Sequence, residues 1–141
     1  MKFFKAGFFA LVLGLAALYT YSDYAYAQET APPGGKYQKV SSLVELPDFI
    51  PGLGVLYVDP ATLPAGPFLA YDKGGSLVST IYMIPLSDLD EHKGFNKLAA
   101  AKDEEVDHVD VHFNAGHPGV PVPHYHIILW HVSPEKAAAL K

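Results

Sequence analysis

Cysteine is missing from all 141 residues, and so is arginine. Without thiolates the chain has no disulfide, no sulfur-ligated zinc or blue-copper centre, and no thiol nucleophile. Without guanidinium groups it lacks the bidentate fork that recognises phosphate and carboxylate. Methionine occurs only as Met1 and Met83, too few for a thioether copper(I) carrier. Positive charge is scarce: ten lysines face fifteen acids, for a net charge of −5. An acidic chain with no basic stripe is a poor partner for nucleic acid or anionic lipid. No Gly-x-Ser-x-Gly elbow, phosphate loop or dinucleotide fingerprint occurs either. Any metal must be held by nitrogen and oxygen.

The longest apolar run is short. It covers the 13 residues 6–18, whereas a membrane-spanning helix needs about 20. Lys2 and Lys5 precede it, and Ala25-Tyr26-Ala27 follows before Gln28. A positive n-region, an apolar core and small residues around one larger one read as a cleavable secretory signal over residues 1–27. The expectation is an exported protein, periplasmic or extracellular, with no membrane attachment after cleavage. Removing that segment leaves 114 residues, and losing two lysines and one aspartate moves the net charge to −6. This is enough chain for one domain, which without disulfides must rely on packing, metal or association.

Residues 28–36, with Ala31-Pro32-Pro33-Gly34-Gly35 at their centre, read as a flexible linker. A single globular domain over residues 37–141 follows. Short apolar runs predict strands over 37–45, 54–58, 68–71 and 77–84, with a hairpin turn at Asp72-Lys73-Gly74-Gly75. Tyr37, Tyr57, Tyr71 and Tyr82 have strand spacing and read as packing residues. Ser87, Asp88, Asp90 and Glu91 supply a cap and first-turn acids, while Leu89, Phe95, Leu98 and Ala99 share one helical face. The pattern predicts a mid-chain helix from 87 to about 101, weakened by Gly94. Residues 106–113 and 124–132 form two further strands, and Ser133-Pro134-Glu135 starts a short C-terminal helix. The fold class expected is α+β, mainly antiparallel β-sheet, with that mid-chain helix and the short terminal one.

Six of the seven histidines fall within 24 residues, inside a hairpin over 106–132: His108, His112, His117, His124, His126 and His131. Side chains alternate faces along a strand. His108, Asp110 and His112 therefore share one face, and so do His124, His126, Ile128 and Trp130. A register with His112 opposite His124 also sets Asp110 opposite His126, with Cβ atoms roughly 5 Å apart. Imidazoles projecting from such pairs can meet at one divalent ion. The candidate ligands are His112, His124 and His126, with Asp110 or His117 as a fourth and His108 further along the same face. Asp110 also has the chemistry of an acceptor fixing an imidazole tautomer. His117 and Asp107 are the candidate proton carriers should the site catalyse. His131 points to the opposite face and reads as a core or interface residue; His92 stands alone on the acidic segment.

The residues His108, Asn114, Gly116-His117 and Pro123-His124-x-His126 resemble a family of small secreted bacterial proteins defined as a domain of unknown function. Its members run an Asp-His strand into a Gly-His-x-Pro-Gly loop and then a Pro-His strand. The likeness extends through residues 54–60, Leu63-Pro64 and residues 83–86, and implies a metal-type site at the hairpin. This chain departs from the pattern by carrying His126 in place of an aspartate and Ile128 in place of the last histidine.

Nitrogen and oxygen donors of this kind suit zinc first, then copper(II), nickel, iron or manganese. The expected function is an exported metal-binding protein, with a small-molecule substrate if the ion keeps an open position. The alternative is a non-catalytic structural protein that forms homo-oligomers, with histidines at a subunit contact.

Overall fold

The computed structural model describes residues 28–101 and 104–141. The expected signal segment, residues 1–27, lies outside the described residues. Among the described residues no helix is long and apolar enough to cross a membrane.

Six strands form one antiparallel sheet: β1 (Gln38–Lys39), β2 (Val55–Val58), β3 (Phe68–Tyr71), β4 (Leu77–Pro85), β5 (His108–Asn114) and β6 (His124–Trp130). Their spatial order is β1-β2-β3-β4-β6-β5. The first four strands are a meander; the chain then crosses beyond the position of β6 to lay down β5 at the edge, and the β5–β6 hairpin brings β6 back beside β4. With two short helices among the described residues, α1 (Leu86–Asp90) and α2 (Pro134–Ala138), this is the α+β, β-dominated class that the sequence predicts.

Burial explains the composition of the strands. Every residue of β3 and β4 is buried, so these central strands are near-continuous apolar runs. One face carries Leu56, Val58, Phe68, Ala70, Ile81, Met83, Ile128 and Trp130, covered by a strap through Val40, Val44, Ile50 and Leu53 and by Leu140. The other carries Tyr57, Leu69, Tyr71 and Leu77, with Tyr37 against them. Tyr57 and Tyr71 meet edge to face with ring centroids 5.5 Å apart. The tyrosines are indeed packing residues.

Several expected elements shorten. The first strand survives as Gln38–Lys39 before a 3-10 turn at Val40–Ser42 turns the chain into the strap. The mid-chain helix ends at Asp90, because Gly94 weakens it and His92 and Lys97 adopt φ of 55° and 57°. The remaining apolar residues still act together: Leu89, Phe95 and Leu98 lie over Tyr82, Ile84 and Ile127. Tyr82 Oη donates to Ala99 O at 2.6 Å and fixes that crossing. Residues 28–36, expected as a flexible linker, are tied to the β3–β4 turn. Ala31 N–H donates to Gly75 O at 2.8 Å, Tyr71 Oη donates to Gln28 O at 2.7 Å, and Pro33 is buried. The turn itself forms at residues 72–75 as expected, with Ser76 N–H donating to Asp72 Oδ1.

Candidate metal centre

β6 alternates strictly, with His124, His126, Ile128 and Trp130 buried and Tyr125, Ile127 and Leu129 half-buried. The two histidines therefore point into the same side of the sheet as the main core, as their spacing predicts. The register, however, differs from the expected one. His126 pairs with His112, Asn114 pairs with His124, and Asp110 pairs with Ile128. The slip is two residues, so no side chain changes face. Its cause is local: Asn114 extends β5 by one residue and the following loop is pinched.

The pinch decides which histidine completes the site. His117 and Val120 exchange both backbone hydrogen bonds, each 3.0 Å, around Pro118-Gly119. Proline followed by a glycine at φ 88° is the signature of a type II turn. Gly116, at φ 129°, also has no room for a side chain, since a Cβ there would sit 2.9 Å from Pro121 O. This turn drives Val120 into the core and sets His117 over the end of β6.

Three Nε2 atoms converge as a result. The separations are 2.9 Å between His124 and His126, 3.2 Å between His124 and His117, and 3.3 Å between His117 and His126. Ligands about 2.05 Å from a zinc ion stand about 3.3 Å apart in a tetrahedral shell and about 2.9 Å apart at the right angles of an octahedral one. The observed spacings fall in that interval.

The tautomers agree. His124 Nδ1 lies 2.7 Å from Val122 O, and His117 Nδ1 lies 2.9 Å from Pro118 O. A carbonyl only accepts, so each Nδ1 carries the proton and each Nε2 presents a lone pair to the centre. Backbone carbonyls holding the outer nitrogens of metal-binding histidines are a recurring second layer of such sites. His124 is fully buried and His126 is 8% exposed, while His117 is half-buried. Burial, then the neighbouring His124, His117 and His112, push the His126 pKa down from 6.5 to about 4. The group is thus kept neutral, the form that binds metal.

The other expected ligands stay outside. His112 is opposite His126, but its ring is largely exposed, with Nε2 3.7 Å from Asp110 Oδ2. Asp110 accepts from Trp130 Nε1 at 2.8 Å. His108 stacks on Trp130, centroids 5.9 Å apart, and its Nδ1 pairs with Asp107 Oδ1 at 2.8 Å. The slipped register carries Asp110 and His108 toward Trp130 and away from His124. His131 bridges Thr80 Oγ1 and Glu105 O on the opposite face, a packing role as its position predicts. The parts not anticipated from sequence are the carbonyls of Pro118 and Val122 and the apolar wall beside the trio. Only the Pro118-Gly119 pair hinted at the turn that brings His117 in.

No protein-family model matches the chain, and no curated relative matches it. Among solved structures it is similar to the crystal structure of the hypothetical protein TTHB210 from Thermus thermophilus, with 47% identity and a TM-score of 0.61. The match covers 67% of this chain and 86% of that one.

Proposed function

The chain belongs to the same family as the Thermus protein TTHB210, and from that premise we propose that it is a metal-binding protein holding a divalent ion on His117, His124 and His126. The observation that carries this reading is the convergence of three Nε2 lone pairs within 3.3 Å, two of them oriented by backbone carbonyls. Three neutral imidazoles bring no charge of their own, which suits zinc first and copper(II), nickel, iron or manganese after it. Three protein ligands leave at least one coordination position open, the hallmark of a site that binds a further molecule rather than one closed for structure. Export is part of the same reading, supported by Lys2, Lys5, the apolar run and Ala25-Tyr26-Ala27. Intact mass of the secreted protein is expected to begin at Gln28.

Elemental analysis tests the centre. The purified protein is expected to carry about one divalent ion per chain; His124→Ala and His126→Ala each lose it, and His112→Ala keeps it. Unchanged metal content in both of the first two variants removes the assignment.

A second reading, a homo-oligomer, has its own observation. Edge strand β5 shows Val109, Val111 and Phe113 on one face at 53%, 61% and 57% exposure. A seven-residue edge strand with three exposed apolar side chains on one face invites a second copy. Light scattering of Phe113→Glu against the unaltered protein tests it, with a fall in mass expected.

A further inference from the structure

Beside the trio lies a cavity of about 260 Å³ between the strap and the sheet. Leucines, valines and other apolar side chains line it, among them Leu43, Val44, Leu56, Val58 and Leu63. His117 and His126 stand in its wall, and Asn114 is the other polar side chain there. Among the described residues, no charged side chain faces it. The rim is open where Leu43 and Leu63, 39% and 48% exposed, meet solvent.

We propose that this cavity takes an apolar monocarboxylate of about ten heavy atoms, its head on the metal held by the trio and its tail among the leucines and valines. This rests on the metal reading above and adds the class of molecule that fills the open position. Size comes from volume: an apolar cavity of about 150 Å³ accepts benzene, so 260 Å³ accommodates roughly ten heavy atoms. Head-group chemistry comes from charge. A divalent ion on three neutral imidazoles is a net dication beside an apolar wall, and one anionic oxygen donor offsets part of that charge. A cation is repelled. A group with several polar atoms, such as a phosphate or a sugar, leaves most of them unpaired, because only Asn114 remains to meet them. Asn114 Oδ1 accepts from Gly116 N–H at 2.8 Å, and the two N–H donors of its amide suit a carboxylate oxygen.

Cobalt(II) loaded into the purified protein reports both layers, because its visible absorption changes when the ion binds the histidines and changes again when a carboxylate joins them. Acetate, butanoate, octanoate and dodecanoate are the probes. Affinity is expected to rise about three- to fourfold per methylene, on the order of a hundredfold from butanoate to octanoate, and to stop rising by dodecanoate. Leu43→Trp, and independently Leu63→Trp, narrow the cavity without touching the trio; both are expected to keep cobalt and lose the chain-length gain. A protein that takes up no cobalt overturns the metal reading and this one together. Cobalt uptake with octanoate no tighter than acetate overturns the cavity ligand alone. Equal octanoate binding with and without cobalt, or an undiminished gain in a folded tryptophan variant, overturns it too.

Discussion

The β5–β6 hairpin carries two sets of histidines, a trio at its loop end and the pair His108 and His112 along β5, and the two are built differently. At the loop end, His117, His124 and His126 have no carboxylate hydrogen-bond partner among the described residues; two outer nitrogens are held by carbonyls, and the inner ones face each other. Along β5, His108 pairs with Asp107 at the Trp130 end, and His112, opposite His126, lies near Asp110. The His112 ring is largely exposed, and each of the two has a carboxylate beside it. What separates the two sets is convergence: the trio's inner nitrogens meet within 3.3 Å, with carbonyls holding two outer nitrogens, whereas His108 and His112 turn to separate acids. The same residue type thus gives a polar network along β5 and a convergent donor set at the loop end.

The largest expected effect that sharpens this contrast is on metal-dependent stability. At a hundredfold excess over Kd, one bound ion adds about 2.7 kcal/mol, read as a rise in Tm on adding zinc to the chelated protein. His124→Ala is expected to abolish that rise, with metal affinity down at least about a hundredfold. His108→Ala, at the opposite end, is expected to leave it intact. Equal losses in both variants would erase the distinction.

Next comes Gly116→Ala. A Cβ there meets Pro121 O at 2.9 Å, a backbone atom that cannot swing aside, and φ is 129°. The strain is worth about 1–3 kcal/mol, and because His117 is the next residue, metal affinity should fall as well. Thermal denaturation with zinc titration measures both. Loss of stability with unchanged affinity would show that the turn does not position His117.

The contrast also explains how much could be read in advance. Two-residue alternation put His124 and His126 on one face, and that holds because a strand's period is insensitive to neighbours. The sheet class and β2 to β6 were legible for the same reason. Pairing register was not, since the slip from His112–His124 to His112–His126 keeps every face and leaves the hydrophobic pattern unchanged. The helix expected through 101 stops at Asp90 because covering Tyr82 and Ile127 outweighs a weak intrinsic preference broken by Gly94. The partners that set the tautomers are backbone carbonyls, which carry no residue signature at all.

Acid is the third way to press the comparison. In the chelated protein His126 has its pKa lowered to about 4 by burial, against 6.5 unfolded. The unfolded chain then binds the proton more readily, so this group's contribution is fully present above pH 6.5 and is lost as pH falls from 6.5 toward 4. Urea midpoints of the chelated protein should decline across that window, and His126→Gln should flatten the decline. An equal slope in both would place the titrating group elsewhere.

The smallest effect belongs to the Trp130 end. Trp130 is 4% exposed and donates its indole N–H to Asp110 at 2.8 Å. Trp130→Phe removes that donor and some ring volume while keeping an aromatic for His108 to stack on. Asp110 is half-exposed, so water replaces the lost bond, and the expected cost is about 1–2 kcal/mol rather than that of a stranded buried charge. Metal content should not change, because Trp130 pairs with His108 across the hairpin and the trio lies beyond Ile128 on the same strand. Chemical denaturation beside elemental analysis separates the two outcomes. If Trp130→Phe releases the ion, the ends of the hairpin are coupled through β6 and the indole–carboxylate bond is part of what holds His126 in place.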